Sequence, residues 1–191
     1  MRSITYTLLV LLVVTIINGF PSADDNMESY KDVMLNRDVG SCLAWYALQG
    51  DPQKLLDETL PPPCNCPASF PPTLIDGWTT DPECDAAKQP NTCDLHKGAY
   101  GCYRYAFKST GPGAQACYDK NGKFISDPWK GAGTVDAETP LGDIIQQGEH
   151  FLCDVVPYYS CCKLTLFGQR FTCGLYYEKR PPGQCVDKPA I

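Results

Sequence analysis

Histidine is scarce in this 191-residue chain: there are two, His96 and His150. A Ser-His-Asp or Cys-His hydrolase would have to use one of them. Neither a Gly-x-Ser-x-Gly elbow nor a His-Glu-x-x-His pair occurs. Basic residues are also the minority, 16 against 22 acidic ones, for a formal charge of −6. Without clustered Lys and Arg the chain cannot neutralise a phosphate backbone, which argues against nucleic acid as a partner. Beyond the N-terminus no stretch reaches the roughly 20 apolar residues of a membrane span. There is no Asn-x-Ser/Thr sequon. The chain has no fixed-period repeat, which excludes solenoids and propellers. Gly131-Ala132-Gly133 lacks the third glycine and preceding apolar strand of a dinucleotide turn. Asp136, Glu138 and Asp143 lack the oxygen-ligand spacing of a calcium loop and read as a solvated acidic loop. No cofactor or metal is expected.

Cysteine, by contrast, is abundant: twelve residues, an even number, alongside 17 Pro and 16 Gly. That usage fits an oxidising compartment better than the cytosol. The first residues agree. Arg2 precedes an apolar run from Leu8 to Ile17, too short to span a membrane, and Gly19 offers a small residue for cleavage. The expected organisation is a signal peptide over 1–19, an acidic, cysteine-free segment over 20–38, a disulfide-rich domain over 39–186 and a tail over 187–191, secreted to the extracellular space with no transmembrane segment after cleavage.

Within the domain the pattern predicts an α+β fold: short N-terminal helices, a small antiparallel sheet and much irregular structure. Ser41 is a good N-cap for a helix ending near Gly50, with Leu43, Tyr46 and Ala47 on one face. Asp51-Pro52 starts a second short helix that Pro61-Pro62-Pro63 stops. The proline-rich stretch to Pro72 is expected to run extended, and Asp76-Gly77 to turn the chain. Tyr103 and Tyr105 alternate with Cys102 and Arg104 at period two, and Asn121-Gly122 reads as a hairpin turn with positive φ at both residues. The run from His150 to Cys162 also reads as extended.

The twelve cysteines are Cys42, Cys64, Cys66, Cys84, Cys93 and Cys102 in the first half, then Cys117, Cys153, Cys161, Cys162, Cys173 and Cys185. Two-knuckle Cys-x-x-Cys spacing is lacking, so disulfides are expected over zinc. Close neighbours rarely bridge each other, so Cys64 and Cys66 should reach different partners, as should Cys161 and Cys162. The aromatics are the candidate binding residues: Tyr100, Tyr103, Tyr105, Tyr158, Tyr159, Tyr176 and Tyr177 sit in dense runs, and tyrosine is favoured at interaction surfaces. In an extended pair such as Tyr158-Tyr159 one ring should face in and the other out.

One ordered set of residues carries a family resemblance. Cys42 with Trp45, Leu60-Pro61-Pro62 before Cys64-Asn65-Cys66-Pro67, Trp78, Cys93 with His96, and Gly98-Ala99 before Cys102 and Arg104 resemble the AMOP domain. Gly113 and Gln115 before Cys117-Tyr118-Asp119 extend it, as do Gly131-Ala132-Gly133-Thr134, Asp154-Val155 with Pro157 before Cys161-Cys162, and Tyr177 with Arg180-Pro181 before Cys185. The resemblance covers about Cys42 to Cys185. That module is adhesion-associated and extracellular, found in a membrane mucin, sushi-domain proteins and isthmins. It implies a non-enzymatic interaction module, in cell adhesion or in binding a surface receptor or matrix component. Two positions depart from the family pattern: Ala116 stands where a cysteine is usual, and Cys153 where none is. All twelve cysteines are nevertheless expected to be bridged, Cys153 through a rewired disulfide. The rival expectation is a secreted inhibitor or toxin-like effector that inserts a loop, best the Cys84 to Cys93 segment, into an extracellular enzyme.

Overall fold

In the computed structural model, residues 39–90, 93–105, 109–164 and 169–187 are described. The expected signal peptide and acidic segment lie outside them. The first helix covers 39–48, so Ser41 sits within it and not at its cap. Its buried side is Cys42 and Trp45, whose ring stacks on Tyr176 at 5.4 Å, whereas Leu43 and Ala47 face solvent. A short helix, Gln53–Leu56, follows, its start fixed by Asp51 Oδ1 accepting from the Gln53 N–H at 3.0 Å. The proline stretch is pinned by isolated bridges: the Cys64 N–H donates to Val186 O at 3.0 Å and the Cys66 N–H to Gly122 O at 2.7 Å. Asp76 and Gly77 take left-handed φ of 58° and 76°, the turn that an Asp-Gly pair supplies, and deliver the chain into the sheet.

That sheet is antiparallel, in the order β1 (Trp78–Thr80), β2 (Gly101–Tyr105), β3 (Gly113–Tyr118), β4 (Val135–Asp136). The register pairs Trp78 with Tyr105, Cys102 with Cys117, Arg104 with Gln115 and Gly113 with Asp136. Directly paired residues share a face. One face is therefore aromatic: Trp78, Tyr103, Tyr105 and Tyr118 pack with Cys66 and the half-buried Phe70 and Phe124. The other face carries Arg104, Gln115 and Asp136. The turn after β3 is the expected one at Gly122, φ 76°, but Asn121 does not have positive φ, and the return past Lys123 makes only a single bridge, Tyr118 to Phe124.

The run from His150 to Cys162 is helical, against the extended reading. A helix starts at Ile144, capped by Asp143 Oδ1 accepting from Ile145 N at 2.8 Å, and continues through π-helical turns at Phe151–Val155 and Tyr159–Lys163. The π geometry accommodates Pro157, which has no N–H for the Cys153 carbonyl one turn back. Trp45 Nε1 at 3.3 Å and the Arg180 guanidinium at 3.2 Å donate to that carbonyl instead. A last helix, Gln169–Lys179, packs its Cys173 and Tyr176 against Tyr158 and Cys42.

Five disulfides join ten of the cysteines: Cys42–Cys161, Cys64–Cys185, Cys84–Cys93, Cys102–Cys117 and Cys162–Cys173. Cys161 and Cys162 diverge, as adjacent residues should. Cys66 and Cys153 lie outside the five, a correction to the expectation that all twelve are bridged. The physical reason is their placement. Cys66 is buried in the aromatic face of the sheet, its Sγ 3.5 Å from the Tyr103 hydroxyl, while Cys153 belongs to the helix beside Trp45 and Arg180.

Candidate functional site

The sheet's second face should meet water if alternation alone decided. It is instead covered by the Ile144 helix, and the seam between them is polar. Arg104 reaches from β2 to Asp81 at 3.0 Å and to Asp136 of β4 at 3.1 Å. Asp81 also accepts from the Gln115 side chain. From the helix, Asp154 takes the N–H groups of Ala137 and Glu138 at 2.9 and 3.2 Å, and pairs with Arg180 Nε at 2.6 Å. His150 lies between the two systems: its Nδ1 is 3.0 Å from Glu138 O and 3.3 Å from Asp154 Oδ2. Both neighbours only accept, so Nδ1 carries a proton. Asp136, read in the sequence as part of a solvated loop, is buried; Glu138 accepts from the Gly111 N–H at 3.0 Å and Asp143 caps the helix.

The electrostatics follow from this packing. Burial pushes Asp136 up to about 6, with Asp154 reinforcing the shift against the opposing pull of Arg104. Asp154 itself stays below its usual range: burial would raise it, but the His150 hydrogen bond and the Arg180 charge prevail. Burial would likewise lower His150, yet the Asp154 bond and the two carboxylate charges hold it above its ordinary value. His96 goes the other way, down to about 4, because it is desolvated and lies near Arg104. Its Nδ1 donates to Ala132 O at 2.8 Å, so it stands as a neutral imidazole.

Both histidines line one open cavity of about 760 Å³. Its floor is the charged seam, and its mouth carries the exposed Glu83 and Asp94 with an apolar rim of Leu141, Phe151 and Tyr159. Convergence of the two imidazoles is what a hydrolase would need, but the lining offers no nucleophile for them. It contains no serine, its Cys84 and Cys93 bridge each other, and the Thr134 hydroxyl donates to Asp136 at 3.4 Å. Donor atoms of Asp136, His150 and Asp154 lie within 4.8 Å of one another, close enough to span a divalent cation. Both carboxylates are, however, already paired with guanidinium groups, and the cluster is better described as a charge network joining sheet to helices.

The seven candidate tyrosines separate by this packing. Tyr103, Tyr105, Tyr158 and Tyr176 are buried, Tyr177 is half-buried, and Tyr100 and Tyr159 are exposed. Tyr103 and Tyr105 lie under the proline stretch, the Tyr103 hydroxyl donating to Pro71 O at 2.8 Å. Tyr158 donates to Leu95 O at 3.0 Å. Tyr158 and Tyr159 do point in and out, but as helical neighbours and not as strand residues.

A family model for the AMOP domain matches residues 37–189. This chain belongs to the AMOP domain family. The match covers every cysteine and the entire charged seam, so cavity and network are both features of this AMOP domain. The chain is similar to Protein mesh of Bombyx mori, 30% identical over 132 residues, which is 63% of this chain and 8% of that protein. It thus spans a small part of that relative's length. No solved structure matches it. AMOP is an extracellular, adhesion-associated and non-enzymatic domain family. Among the described residues no helix is long and apolar enough to cross a membrane.

Proposed function

We propose that this AMOP protein is secreted and works as a non-catalytic interaction module outside the cell, in adhesion or in binding a receptor or matrix component. The reading is carried by the reach of the family match, residues 37–189, which takes in the whole disulfide-bonded body. Exposed apolar side chains gathered at one cavity mouth support it, because such patches serve as contact surfaces more often than isolated ones do. In this reading residues 1–19 are removed as a signal peptide, 20–38 lead the mature chain, and 39–186 form the working module; N-terminal sequencing of the secreted product tests the cut. The function is tested by adding labelled, purified protein to intact cells and to immobilised matrix, then crosslinking and identifying what is bound. Saturable binding that unlabelled protein displaces is expected. Its absence across cell types and matrix components would overturn the reading.

A further inference from the structure

The cavity has an excess of negative charge that the fold does not cancel. Three buried carboxylates, Asp81, Asp136 and Asp154, face two buried guanidinium groups, Arg104 and Arg180. Only a proton held within the Asp136, His150, Asp154 group balances that set. Toward the mouth the imbalance grows, since Glu83 and Asp94 are exposed and Arg104 is the one Lys or Arg among the lining residues. Walls of low polarity concentrate such a field at the opening. The rim is apolar: Leu141, Phe151 and Tyr159 are 41%, 55% and 44% exposed, large side chains left in water beside the acidic opening. A group suited to this site has a cationic tip, an apolar stem to lie along the rim, and apolar neighbours to cover Phe151 and Tyr159. An anionic or plain apolar group meets either like charge or unpaired carboxylates.

We propose that the cavity is the docking site for a protein partner, receiving a Lys or Arg side chain flanked by apolar residues between Glu83 and Asp94. The proposal rests on the extracellular-interaction reading above and names the chemistry of the partner. A bare metal ion would have to displace the arginine contacts on Asp136 and Asp154, whereas a side chain entering from the mouth leaves them in place.

The test uses the intact protein and three peptide amides, acetyl-Leu-Lys-Phe, acetyl-Leu-norleucine-Phe and acetyl-Leu-Glu-Phe, followed by amide shift mapping and calorimetry. The Lys peptide is expected to bind with a dissociation constant below about 1 mM, to shift the signals of Glu83, Asp94, Phe151 and Tyr159, and to weaken as salt is raised. The norleucine peptide should bind at least fivefold more weakly, and Glu83→Gln or Asp94→Asn should each weaken the Lys peptide about two- to fivefold, as exposed ion pairs do. Both acids are exposed, so these variants keep the fold. Equal affinity for the norleucine or Glu peptide, shifts confined to another face, or no binding would overturn the proposal. So would spermidine competing as tightly as the peptide, which would make the ligand a free amine. A further arm separates this inference from the one beneath it. If wild-type protein binds cells saturably and Glu83→Gln with Asp94→Asn and Tyr159→Ala binds them equally well, the partner uses another surface and this inference fails while the interaction reading stands. If wild-type protein binds no cell or matrix, the interaction reading itself fails.

Discussion

Arg180 holds the seam to both terminal helices, and its replacement tests the whole account. The side chain is 2% exposed, its Nε 2.6 Å from Asp154 Oδ1. The terminal nitrogens donate to Lys179 O at 3.0 Å, Gln49 Oε1 at 2.9 Å and Cys153 O at 3.2 Å, and the guanidinium lies 5.2 Å from the Trp45 ring centroid. Arg180→Met keeps most of the stem packing but strands a buried carboxylate and uncovers two acceptors. Removing one partner of a buried ion pair costs about 3–5 kcal/mol. Asp154→Asn should cost a similar amount, since it leaves the cation unmatched. The two residues touch, so the double variant should cost less than the sum of the singles by about 1–3 kcal/mol. Urea unfolding at pH 7 with disulfides intact, followed by fluorescence and circular dichroism together, reads these differences. A loss below about 1 kcal/mol for Arg180→Met, or strict additivity in the double variant, would refute a cooperative charged seam.

With only two imidazoles in the chain, one variant of each assigns the histidine signals in a proton NMR titration: His96 should titrate near about 4 and His150 above 6.5. Because the folded chain refuses a proton at His96 that the unfolded chain accepts, stability should fall as pH drops from about 6.5 to about 4, by up to about 3 kcal/mol. Raised groups act in the opposite sense. Asp136 contributes stability that is lost as pH rises from about 4 through about 6, and His150 contributes stability present below 6.5 and lost as pH rises through its folded value. His96→Asn should therefore flatten the acid limb of the urea midpoint; an unchanged limb would contradict the assignment. Gly122→Ala should destabilise by about 1–3 kcal/mol, because φ is 76° and a Cβ would run into the Cys66 carbonyl; an unchanged urea midpoint would show that the turn relaxes freely. Peptide mapping without reduction should return Cys42–Cys161, Cys64–Cys185 and Cys162–Cys173. Iodoacetamide should leave Cys66 unlabelled in the native protein, since burial both shields the thiol and pushes its pKa up, and label it in urea; a disulfide that includes Cys66 would be a clear refutation.

The sheet was legible because Tyr103 and Tyr105 alternate with Cys102 and Arg104, and Asp76-Gly77 and Gly122 mark turns by a backbone requirement that few residues meet. Alternation does not say what covers the second face. Arg104, Gln115 and Asp136 read as solvent-facing residues, and only the tertiary contact with the Ile144 helix buries them. That helix was illegible for a related reason. Val155-Val156-Pro157-Tyr158-Tyr159 has strand-favouring residues around a proline, and local propensity points away from a helix. Packing of Tyr158, Cys161 and Cys162 against Cys42, Cys173 and Tyr176 overrides it. The family pattern did hold Arg104, Gln115, Asp154 and Arg180, so the residues of the seam were visible even though their ion pairing was not. Among the tyrosines, density along the chain was a poor guide to exposure, because the same rings fill two small aromatic cores.

Those two cores explain why the seam is charged. The sheet's aromatic face closes on itself with Phe70, Phe124 and the proline stretch, and the helices close around their own disulfides, Cys42–Cys161 and Cys162–Cys173. Each half has spent its apolar surface internally, so the contact between them must be specified by directional groups. Arg104 with Asp136 and Asp154 with Arg180 do this, since a shifted sheet would leave buried charges unmatched at a cost of several kcal/mol. Charged groups pack less densely than interdigitated aromatics and leave room beside them, and it is there that the cavity opens, with its acidic floor and apolar rim. The architecture that orients the two halves thus also produces the concave surface through which an extracellular partner can be recognised.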